Sequence, residues 1–186
     1  MNTIKIKKEN SLLVAIDFQE KLMPAIEGAK EIEEKASKLI KGARIADVPV
    51  LVSQQYTKGL GKTVTAVAEA LGEFDYVEKN TFSCMKTPEF ANAVFGMAAA
   101  GRKTIVLCGV ETHICVQQTA LELLDAGFDV FVAADCSGSR KTTDNDIALQ
   151  RMSQAGAFIT TYESVLYEWL EDSKAQGFKE ISALVK

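Results

Sequence analysis

The stretch KTIVLCGVETHICVQQTALELLDAGFDVFVAA, residues 103–134, contains a strand, a helix and a second strand in one run. An apolar segment at 103–109 is followed by a helical pattern over about 112–126, by Gly127 and by another apolar segment at 128–134. A glycine just past the last periodic residue fits a helix C-terminus, where positive φ is needed. Two apolar segments joined by a helix predict parallel strands that are covered on both faces of their sheet.

The same alternation extends through the rest of the chain. Short runs rich in Val, Ile and Leu predict six strands, at residues 11–17, 49–54, 74–78, 103–109, 128–134 and 157–161. Periodic segments predict a helix between the first two strands and further helices at about 87–100, 112–126 and 144–155. We therefore predict an α/β fold: a single-domain, three-layer α/β/α sandwich with a six-stranded, mostly parallel, Rossmann-like sheet in the order 3-2-1-4-5-6.

Length and composition limit the classes of protein to which the chain can belong. It has 186 residues, of which 47% are hydrophobic, and a formal net charge of −4. This length predicts one domain, residues 1–186, on a prior of about 150 residues per domain. Mild acidity argues against a nucleic-acid binder, and no apolar run approaches the ~20 residues that cross a bilayer. Since no signal-peptide pattern follows residues 12–16, we expect a cytoplasmic protein.

Polar residues stand at the carboxyl ends of the predicted strands, where open parallel sheets bind ligands. Asp17 follows the first strand, Lys79 closes the third, and Cys115 lies just past the fourth. Cys115 falls in the first turn of a predicted helix, where the helix dipole and the Lys79 ammonium are expected to lower the pKa of its thiol. Asp17 can then take the thiol proton. The alternative is that Cys115 is only a small buried hydrophobic residue.

Two other features of the sequence are weaker evidence for a functional site. His113 is the only histidine, and because helical positions two apart point about 200° from each other, it is not expected to pair with Cys115. His113 is instead predicted to have a structural role. One histidine without Cys-x-x-Cys or His-Glu-x-x-His predicts no metal site. The segment GLGKT, residues 59–63, is not a phosphate loop, because Tyr56 occupies the position of its first glycine.

The other three cysteines are expected to be thiols in a reducing compartment, since no Cys-x-x-Cys pair occurs. Cys108 lies within the apolar run TIVLCGV and is predicted to be a core residue. Cys84 and Cys136 follow the third and fifth strands. They either border the pocket or pack beside it.

Four segments of the chain occur in an order that is typical of one family. LLVAIDFQEKLMPAI (12–26) is similar to a first strand with a catalytic aspartate, and EKNTFSCMKTPEF (78–90) to a segment with a catalytic lysine. IVLCGVETHICVQQTALELLDAGFDVFVAADCSGSR (105–140) is similar to a nucleophile region, and ALQRMSQAGAFITTYESVLYEWL (148–170) to the closing elements. From about residue 10 to about residue 171, the chain resembles the isochorismatase-like cysteine hydrolases, which include nicotinamidases and N-carbamoylsarcosine amidohydrolase. It looks most like their small, uncharacterised isochorismatase-domain members.

This resemblance implies a role for each residue of the predicted site. Asp17 would be the general base, Lys79 the cation that stabilises the thiolate, and Cys115 the nucleophile. Relatives commonly have a cis peptide bond that here would join Val110 to Glu111. Backbone N–H groups near Glu111 and Cys115 would then form an oxyanion hole.

The resemblance also bears on the pocket, the cofactor and the assembly. We assign five further residues to the substrate pocket: Phe18, Gln19, Gln54, Phe82 and Thr112. Nicotinamidases have an Asp-x-His metal motif after the second strand, where this chain has Gln54, Gln55 and Tyr56, so we expect neither a metal nor another cofactor. A homo-oligomer, a dimer or tetramer, is implied. The segment from Tyr162 onward, with Tyr167 and Trp169, is its candidate interface, unless residues 181–185 only pack the chain's own tail.

Four functions are considered, one of which is favoured by these observations. The leading hypothesis is a cysteine hydrolase that cleaves a C–N bond of a small amide or ureido compound through a Cys115 thioester. Vinyl-ether cleavage of the true isochorismatase type is less favoured, because it needs no cysteine nucleophile. The alternatives are a binding or scaffold protein without turnover, and a redox-sensing thiol that needs Cys84 or Cys136 nearby. For the hydrolase the expected partner is a small-molecule substrate, and neither nucleic acid nor a membrane is expected as a partner.

Overall fold

The computed structural model describes residues 5–186 and contains a six-stranded, all-parallel sheet in the order β3-β2-β1-β4-β5-β6. Its strands are β1 (Ser11–Ile16), β2 (Val50–Gln55), β3 (Val77–Lys79), β4 (Thr104–Val110), β5 (Asp129–Gly138) and β6 (Phe158–Thr160). The predicted α/β class and strand order are confirmed. The first four residues of the predicted domain lie outside the described residues.

Helices connect successive strands and follow the last one. They are α1 (Ala29–Ile45), α2 (Thr57–Leu60), α3 (Thr65–Leu71), α4 (Pro88–Ala99), α5 (Gln117–Asp125), α6 (Thr142–Gln154), α7 (Tyr162–Leu170) and α8 (Phe178–Val185). Short 3-10 turns lie at Lys8–Asn10, Met23–Ala25 and Cys84–Lys86, and a π-helical turn at Thr112–Val116 precedes α5. Among residues 5–186, no helix has the length and apolar character that a membrane crossing requires.

Two helical layers cover the sheet, because side chains of a strand alternate between its faces. In β1, Leu13 and Ala15 contribute to a core with α1, α3, α7 and α8. Leu12, Val14 and Ile16 contribute to a second core with α4, α5 and α6. Every residue of β1 is buried, which explains why its sequence is almost continuously apolar instead of alternating. The three-layer arrangement is confirmed.

Both edge strands differ from their predicted bounds. β3 was predicted at 74–78, but pairing with β2 covers only Val77–Lys79. Phe74 packs against the core without pairing, and Tyr76 is exposed, so the apolar segment was not all strand. β6 is likewise shorter than the predicted 157–161. Short edge strands have one unpaired side, and hydrophobic patterning defines their ends poorly.

The end of β4 is shaped by a glycine. Gly109 has a φ of 138°, and a Cβ at this position would overlap the carbonyl oxygen of Ile16. Only glycine therefore lets the end of β4 approach the end of β1 this closely. The register between β4 and β5 also shifts between Leu107 and Gly109, and β5 continues past its predicted end at residue 134. This places the residues after β1 and β4 beside each other.

The C-terminal segment packs mainly within the chain. Trp169, predicted as part of an oligomer interface, is buried and donates a hydrogen bond from Nε1 to Ser11 Oγ at 3.0 Å. Ile181 in α8 is also fully buried, as the alternative of a self-packing tail required. Tyr167 remains partly exposed on the surface of α7. The interface prediction is therefore corrected for Trp169, which is a core residue.

Candidate active site

Asp17, Lys79 and Cys115 meet at the carboxyl edge of the sheet. Asp17 directly follows β1, Lys79 is the last residue of β3, and Cys115 lies in the π-helical turn after β4. Their relative exposures are 0%, 2% and 6%. Lys79 Nζ lies 2.6 Å from Asp17 Oδ2, and the charges of both residues act on the Cys115 thiol. The sheet order therefore brings together an acid, a cation and a thiol that are far apart in sequence.

The Lys79 ammonium is surrounded by acceptors. Besides Asp17 Oδ2, it donates to Gln55 Oε1 at 2.7 Å and to the carbonyl oxygens of Phe82 at 3.1 Å and Thr81 at 3.2 Å. Burial favours the neutral amine, but Asp17, Cys115 and Cys84 together outweigh it, with Asp17 contributing most, and raise the pKa of Lys79 above its usual value. An ammonium has three protons for these four acceptors. Lys79 thus stays charged and has no proton left over for another partner.

The Asp17 carboxylate is held at both oxygens. Oδ2 accepts from Lys79, and Oδ1 accepts a 2.7 Å hydrogen bond from the Ser53 hydroxyl at the end of β2. The backbone of Asp17 is fixed as well, with a φ of 53°, which aspartate tolerates better than most residues. Its N–H donates to the carbonyl oxygen of Ser53 at 3.2 Å. A buried carboxylate with these partners presents its remaining lone pairs in fixed directions.

The Cys115 thiol is not activated in the way that the sequence suggested. Burial and then the charge of the adjacent Asp17 raise its pKa to about 12, against the opposing effect of Lys79. The expectation of a lowered thiol pKa is therefore wrong. It considered the helix terminus and the cation, but it took no account of burial or of the carboxylate. At rest the site contains a neutral thiol next to a carboxylate.

The turn that carries Cys115 is anchored on both sides. The peptide bond between Val110 and Glu111 is cis. The Glu111 carboxylate accepts hydrogen bonds from the backbone N–H of Arg140 at 3.1 Å and from its Nε at 3.0 Å. The carbonyl oxygen of Glu111 accepts from Ile114 N at 3.0 Å. Glu111 therefore fixes the turn to the segment after β5. An oxyanion hole near Glu111 and Cys115 stays a prediction.

The five residues assigned to the substrate pocket have different surroundings. Phe18 is buried in the core with α1. The amide of Gln19 bonds the backbone of Gln55 and Gly61, and the amide of Gln54 bonds the hydroxyls of Thr57 and Thr63. These three side chains are packed or hydrogen-bonded within the fold, and their assignment to the substrate pocket stays a prediction. Phe82 is 54% exposed, and Thr112 is fully buried, with no hydrogen-bond partner for its hydroxyl among residues 5–186.

The contacts of the other three cysteines and of the histidine show where each of them lies in the fold. Cys108 is buried in the core next to the carbonyl oxygen of Val14, as predicted. Cys136 lies in the core on the α1 side of the sheet, whereas Cys84 lies in the same core as Cys115. His113 bonds Ser139 through Nδ1 at 2.9 Å, in keeping with a structural role. In the described chain, no three His, Cys, Asp or Glu residues are grouped for a metal ion.

Sequence reasoning missed several residues that hold the site. Ser53 bonds Asp17, Gln55 bonds Lys79, and Cys84 Sγ lies 3.6 Å from Ser53 Oγ. One signal was present: the segment VSQQ places polar residues at the buried end of an otherwise apolar strand. Buried polar side chains need partners, so their position next to Asp17 in the predicted sheet could have indicated this role.

Comparison with known proteins identifies one family. A model of the isochorismatase domain matches residues 11–164. The chain is 42% identical over 95% of its length to isochorismatase domain-containing protein 1 of Danio rerio, of which it spans 61%. It is 40% identical over 97% of its length to isochorismatase domain-containing protein 2 of Xenopus laevis, of which it spans 86%. The chain thus corresponds to less than two thirds of the first relative and to most of the second.

Solved structures share the fold over nearly the whole chain. A structure described as MAR1 ribonuclease from Caenorhabditis elegans has a TM-score of 0.90, 36% identity, and coverage of 98% of this chain and 92% of its own. YcaC from Pseudomonas aeruginosa, solved with hexane-2,5-diol and covalent acrylamide, has a TM-score of 0.90, 26% identity, and coverage of 99% and 93%. YcaC from Escherichia coli, described as an octameric hydrolase of unknown specificity, has a TM-score of 0.91, 24% identity, and coverage of 99% and 90%.

Proposed function

The chain belongs to the isochorismatase domain family, whose members are in general hydrolases, and from this premise we propose that it is a cysteine hydrolase. It cleaves a C–N bond of a small amide or ureido compound through a thioester on Cys115. The observation that carries this proposal is the buried contact of a neutral thiol with a carboxylate that Lys79 holds at 2.6 Å. A nucleophile adjacent to an oriented base is the arrangement that covalent catalysis requires.

The first half-reaction transfers the acyl group to sulfur. Because the pKa of the Cys115 thiol is raised to about 12, its proton leaves as the sulfur attacks, not beforehand. Asp17 accepts that proton while a C–S bond forms at the carbonyl carbon of the substrate. Asp17 then returns the proton to the departing nitrogen, the C–N bond breaks, and a thioester remains on Cys115.

The second half-reaction uses water. Asp17 takes a proton from a water molecule whose oxygen adds to the thioester carbon. The C–S bond then breaks, the proton passes from Asp17 to the Cys115 sulfur, and a carboxylic or carbamic acid is released. Both residues return to their starting forms, so the cycle consumes only water and substrate.

Lys79 acts through its charge instead of through a bond to substrate. All its protons are engaged by acceptors of the fold, including Gln55 and Phe82. It therefore keeps the Asp17 carboxylate in place and stabilises negative charge on the Cys115 sulfur through space. The charges of Asp17 and Lys79 cancel, and a buried unpaired charge is costly. This balance favours an uncharged group at the reacting centre, as in amides and ureido compounds.

The same proposal includes an oligomeric state and a cellular compartment. We propose a homo-oligomer, which the octameric state described for E. coli YcaC supports. We also propose a reducing compartment, the cytoplasm, because Cys84, Cys108, Cys115 and Cys136 are all free thiols. Size-exclusion chromatography with light scattering tests the first point.

The test of the activity is product release from a panel of small amides and ureido compounds, with Cys115→Ala and Cys136→Ala as matched variants. The wild type and Cys136→Ala are expected to hydrolyse at least one compound, and Cys115→Ala none. Because both cysteines are buried, the comparison distinguishes the loss of the nucleophile from the loss of a buried thiol side chain. Turnover that survives in Cys115→Ala overturns the covalent mechanism.

Two further substrates belong in the panel. Acrylamide is included because the P. aeruginosa neighbour was solved with it covalently bound, and RNA because the C. elegans neighbour is described as a ribonuclease. Cleavage of RNA that required Cys115, without turnover of any amide, would replace the proposed reaction class.

A further inference from the structure

We propose that Ser53 is a positioning residue for Asp17, and that Cys84 and Thr119 extend its contact into a buried hydrogen-bonded chain that links the base to the nucleophile. The proposal rests on the hydrolase function above, because it assigns a role within that reaction. Ser53, Cys84 and Thr119 belong to β2, the turn after β3, and α5. None of the three touches the reacting atoms; each acts through Asp17 or through the turn of Cys115.

Ser53 holds Asp17 with both its side chain and its backbone. Its Oγ donates to Asp17 Oδ1 at 2.7 Å, and its carbonyl oxygen accepts from Asp17 N at 3.2 Å. Ser53 is opposite Ile16 in the β1–β2 pairing, directly before Asp17. It is almost completely buried, so no water competes for its hydroxyl.

The hydrogen bond from Ser53 fixes the orientation of the Asp17 carboxylate about its Cβ–Cγ bond. With Lys79 alone, the Asp17 carboxylate could rotate about its Cβ–Cγ bond and still accept from the ammonium. Because Ser53 binds Oδ1 while Lys79 binds Oδ2, the plane of the carboxylate is fixed. The lone pairs that remain then keep one direction toward the Cys115 thiol, and proton transfer depends on that direction.

The chain continues from Ser53 to the nucleophile turn. Cys84 Sγ donates to Ser53 Oγ at 3.6 Å, and Cys84 N donates to Thr119 Oγ1 at 3.0 Å. Thr119 Oγ1 in turn donates to the carbonyl oxygen of Cys115 at 2.7 Å. Both intermediate residues are fully buried. Asp17 and Cys115 are therefore connected by a hydrogen-bonded path in addition to the electrostatic interaction between them.

The direction of each proton in this chain is fixed. Ser53 has one hydroxyl proton, and Asp17 takes it, so Ser53 must accept from Cys84. Burial raises the pKa of the Cys84 thiol to about 11, with Asp17 acting in the same sense, which keeps Cys84 protonated as a donor. Thr119 has likewise one proton and gives it to Cys115 O, so it accepts from Cys84 N. No link can reverse while Asp17 is ionised.

The experiment compares Ser53→Ala, Ser53→Thr and the control Ser11→Ala. Ser11 is also a buried serine on a central strand, but it lies at the opposite end of the sheet from Asp17. On an amide that the wild type hydrolyses, Ser53→Ala is expected to lower kcat by about 10- to 100-fold with KM within about twofold. The acidic limb of the pH profile of kcat/KM is expected to move to higher pH, because the charged form of the base has lost a donor.

Ser53→Thr keeps the hydroxyl and is expected to recover most of kcat and the wild-type pH profile. Ser11→Ala is expected to lose thermal stability with both kinetic properties unchanged. A merely structural role for Ser53 would lower stability without moving the pH profile. If Ser53→Ala matches the wild type in kcat and in pH profile, the positioning role is wrong.

A second measurement does not need hydrolysis. The rate constant for alkylation of Cys115 by acrylamide, followed by mass spectrometry, is expected to fall about tenfold in Ser53→Ala and to recover in Ser53→Thr. If the wild type hydrolyses no amide, the proposed function fails while the alkylation rates still test Ser53. If hydrolysis depends on Cys115 but both Ser53→Ala readouts equal the wild type, only the positioning role fails.

Discussion

The two ends of β1 both bury polar groups, but they use them differently. At the amino end, Ser11 Oγ donates to the carbonyl oxygen of Lys7 at 2.6 Å and accepts from Trp169 Nε1 at 3.0 Å. Arg102 Nη1 donates to the carbonyl oxygens of Ser11 at 2.8 Å and Lys8 at 2.9 Å. Each of these groups has a fixed partner in the same chain.

At the carboxyl end, six residues further along, the buried groups are an ion pair and a thiol. Asp17 and Lys79 have fully buried side chains, and Cys115 adjoins them. Burying an ion pair gains little stability over apolar packing of the same volume, whereas it places a base and a cation beside a nucleophile. The difference teaches that polar groups at the amino end serve stability and those at the carboxyl end serve chemistry. Four substitutions test this contrast.

The largest effect is expected for Lys79→Met. This change leaves the Asp17 carboxylate buried without its cation, which typically costs about 3–5 kcal/mol of unfolding free energy. Turnover is expected to be lost with it. Denaturant unfolding measures the first effect, and Lys38→Met is the control, because Lys38 forms an exposed pair with Glu34 worth ~0.5 kcal/mol or less. Turnover in Lys79→Met equal to that of the wild type would remove the contrast, and equal unfolding free energies would contradict the cost expected for an unpaired buried carboxylate.

Asp17→Asn is expected to separate thiol ionisation from activity. Removing the carboxylate takes away a negative charge that raises the pKa of the Cys115 thiol, so this pKa falls below that of the wild type. The thiolate forms more readily, yet turnover drops by about 10²- to 10⁴-fold, because no base remains. Ultraviolet titration of thiolate absorbance, with Cys115→Ala subtracted, measures the pKa. A rise in this pKa would contradict the geometry.

Ser11→Ala is expected to affect stability alone. It leaves the buried Trp169 Nε1 without its acceptor, at a cost of about 1–3 kcal/mol. For a chain of this size, each kcal/mol corresponds to a fall in Tm of about 2–4 °C. Calorimetry gives Tm, and kcat should stay within about twofold of the wild type. A kcat loss as large as that of Asp17→Asn would show that the two ends are not independent.

The smallest effect is expected for Arg140→Gln. The Arg140 side chain is 60% exposed, so solvent screens its pair with Glu111, and the expected loss is ~1 kcal/mol or less. The backbone N–H of Arg140 still donates to Glu111 in this variant. We expect kcat/KM to change less than threefold, on the order of 0.5 kcal/mol. A larger change in kcat/KM would show that the Arg140 side chain takes part in the reaction.

The fold was largely predictable, because buried parallel strands are apolar along their whole length. The runs at 11–17 and 103–109 lie close to the bounds of β1 and β4. The segment at 74–78 was misplaced, because burial of Phe74 comes from packing and not from strand pairing. Sequence patterns report burial well and hydrogen-bonded pairing less well.

The site was predictable in part for a similar reason. The strand-end rule selected Asp17, Lys79 and Cys115 from the chain, since strand order alone places them at one edge. The contact of Ser53 with Asp17 depends on the β1–β2 register, which the sequence does not specify. The pKa of Cys115 was predicted in the wrong direction, because its sign depends on how fully the thiol is buried beside the carboxylate.

The most direct test of the central claim is to trap the acyl-enzyme. Wild-type protein is mixed with an amide that it hydrolyses, quenched in acid during turnover, digested and analysed by mass spectrometry. We predict that the peptide containing Cys115 gains the mass of the acyl group and that peptides with Cys84, Cys108 and Cys136 do not. Sustained hydrolysis with no acyl mass on Cys115, together with equal turnover in Cys115→Ala, would contradict the account.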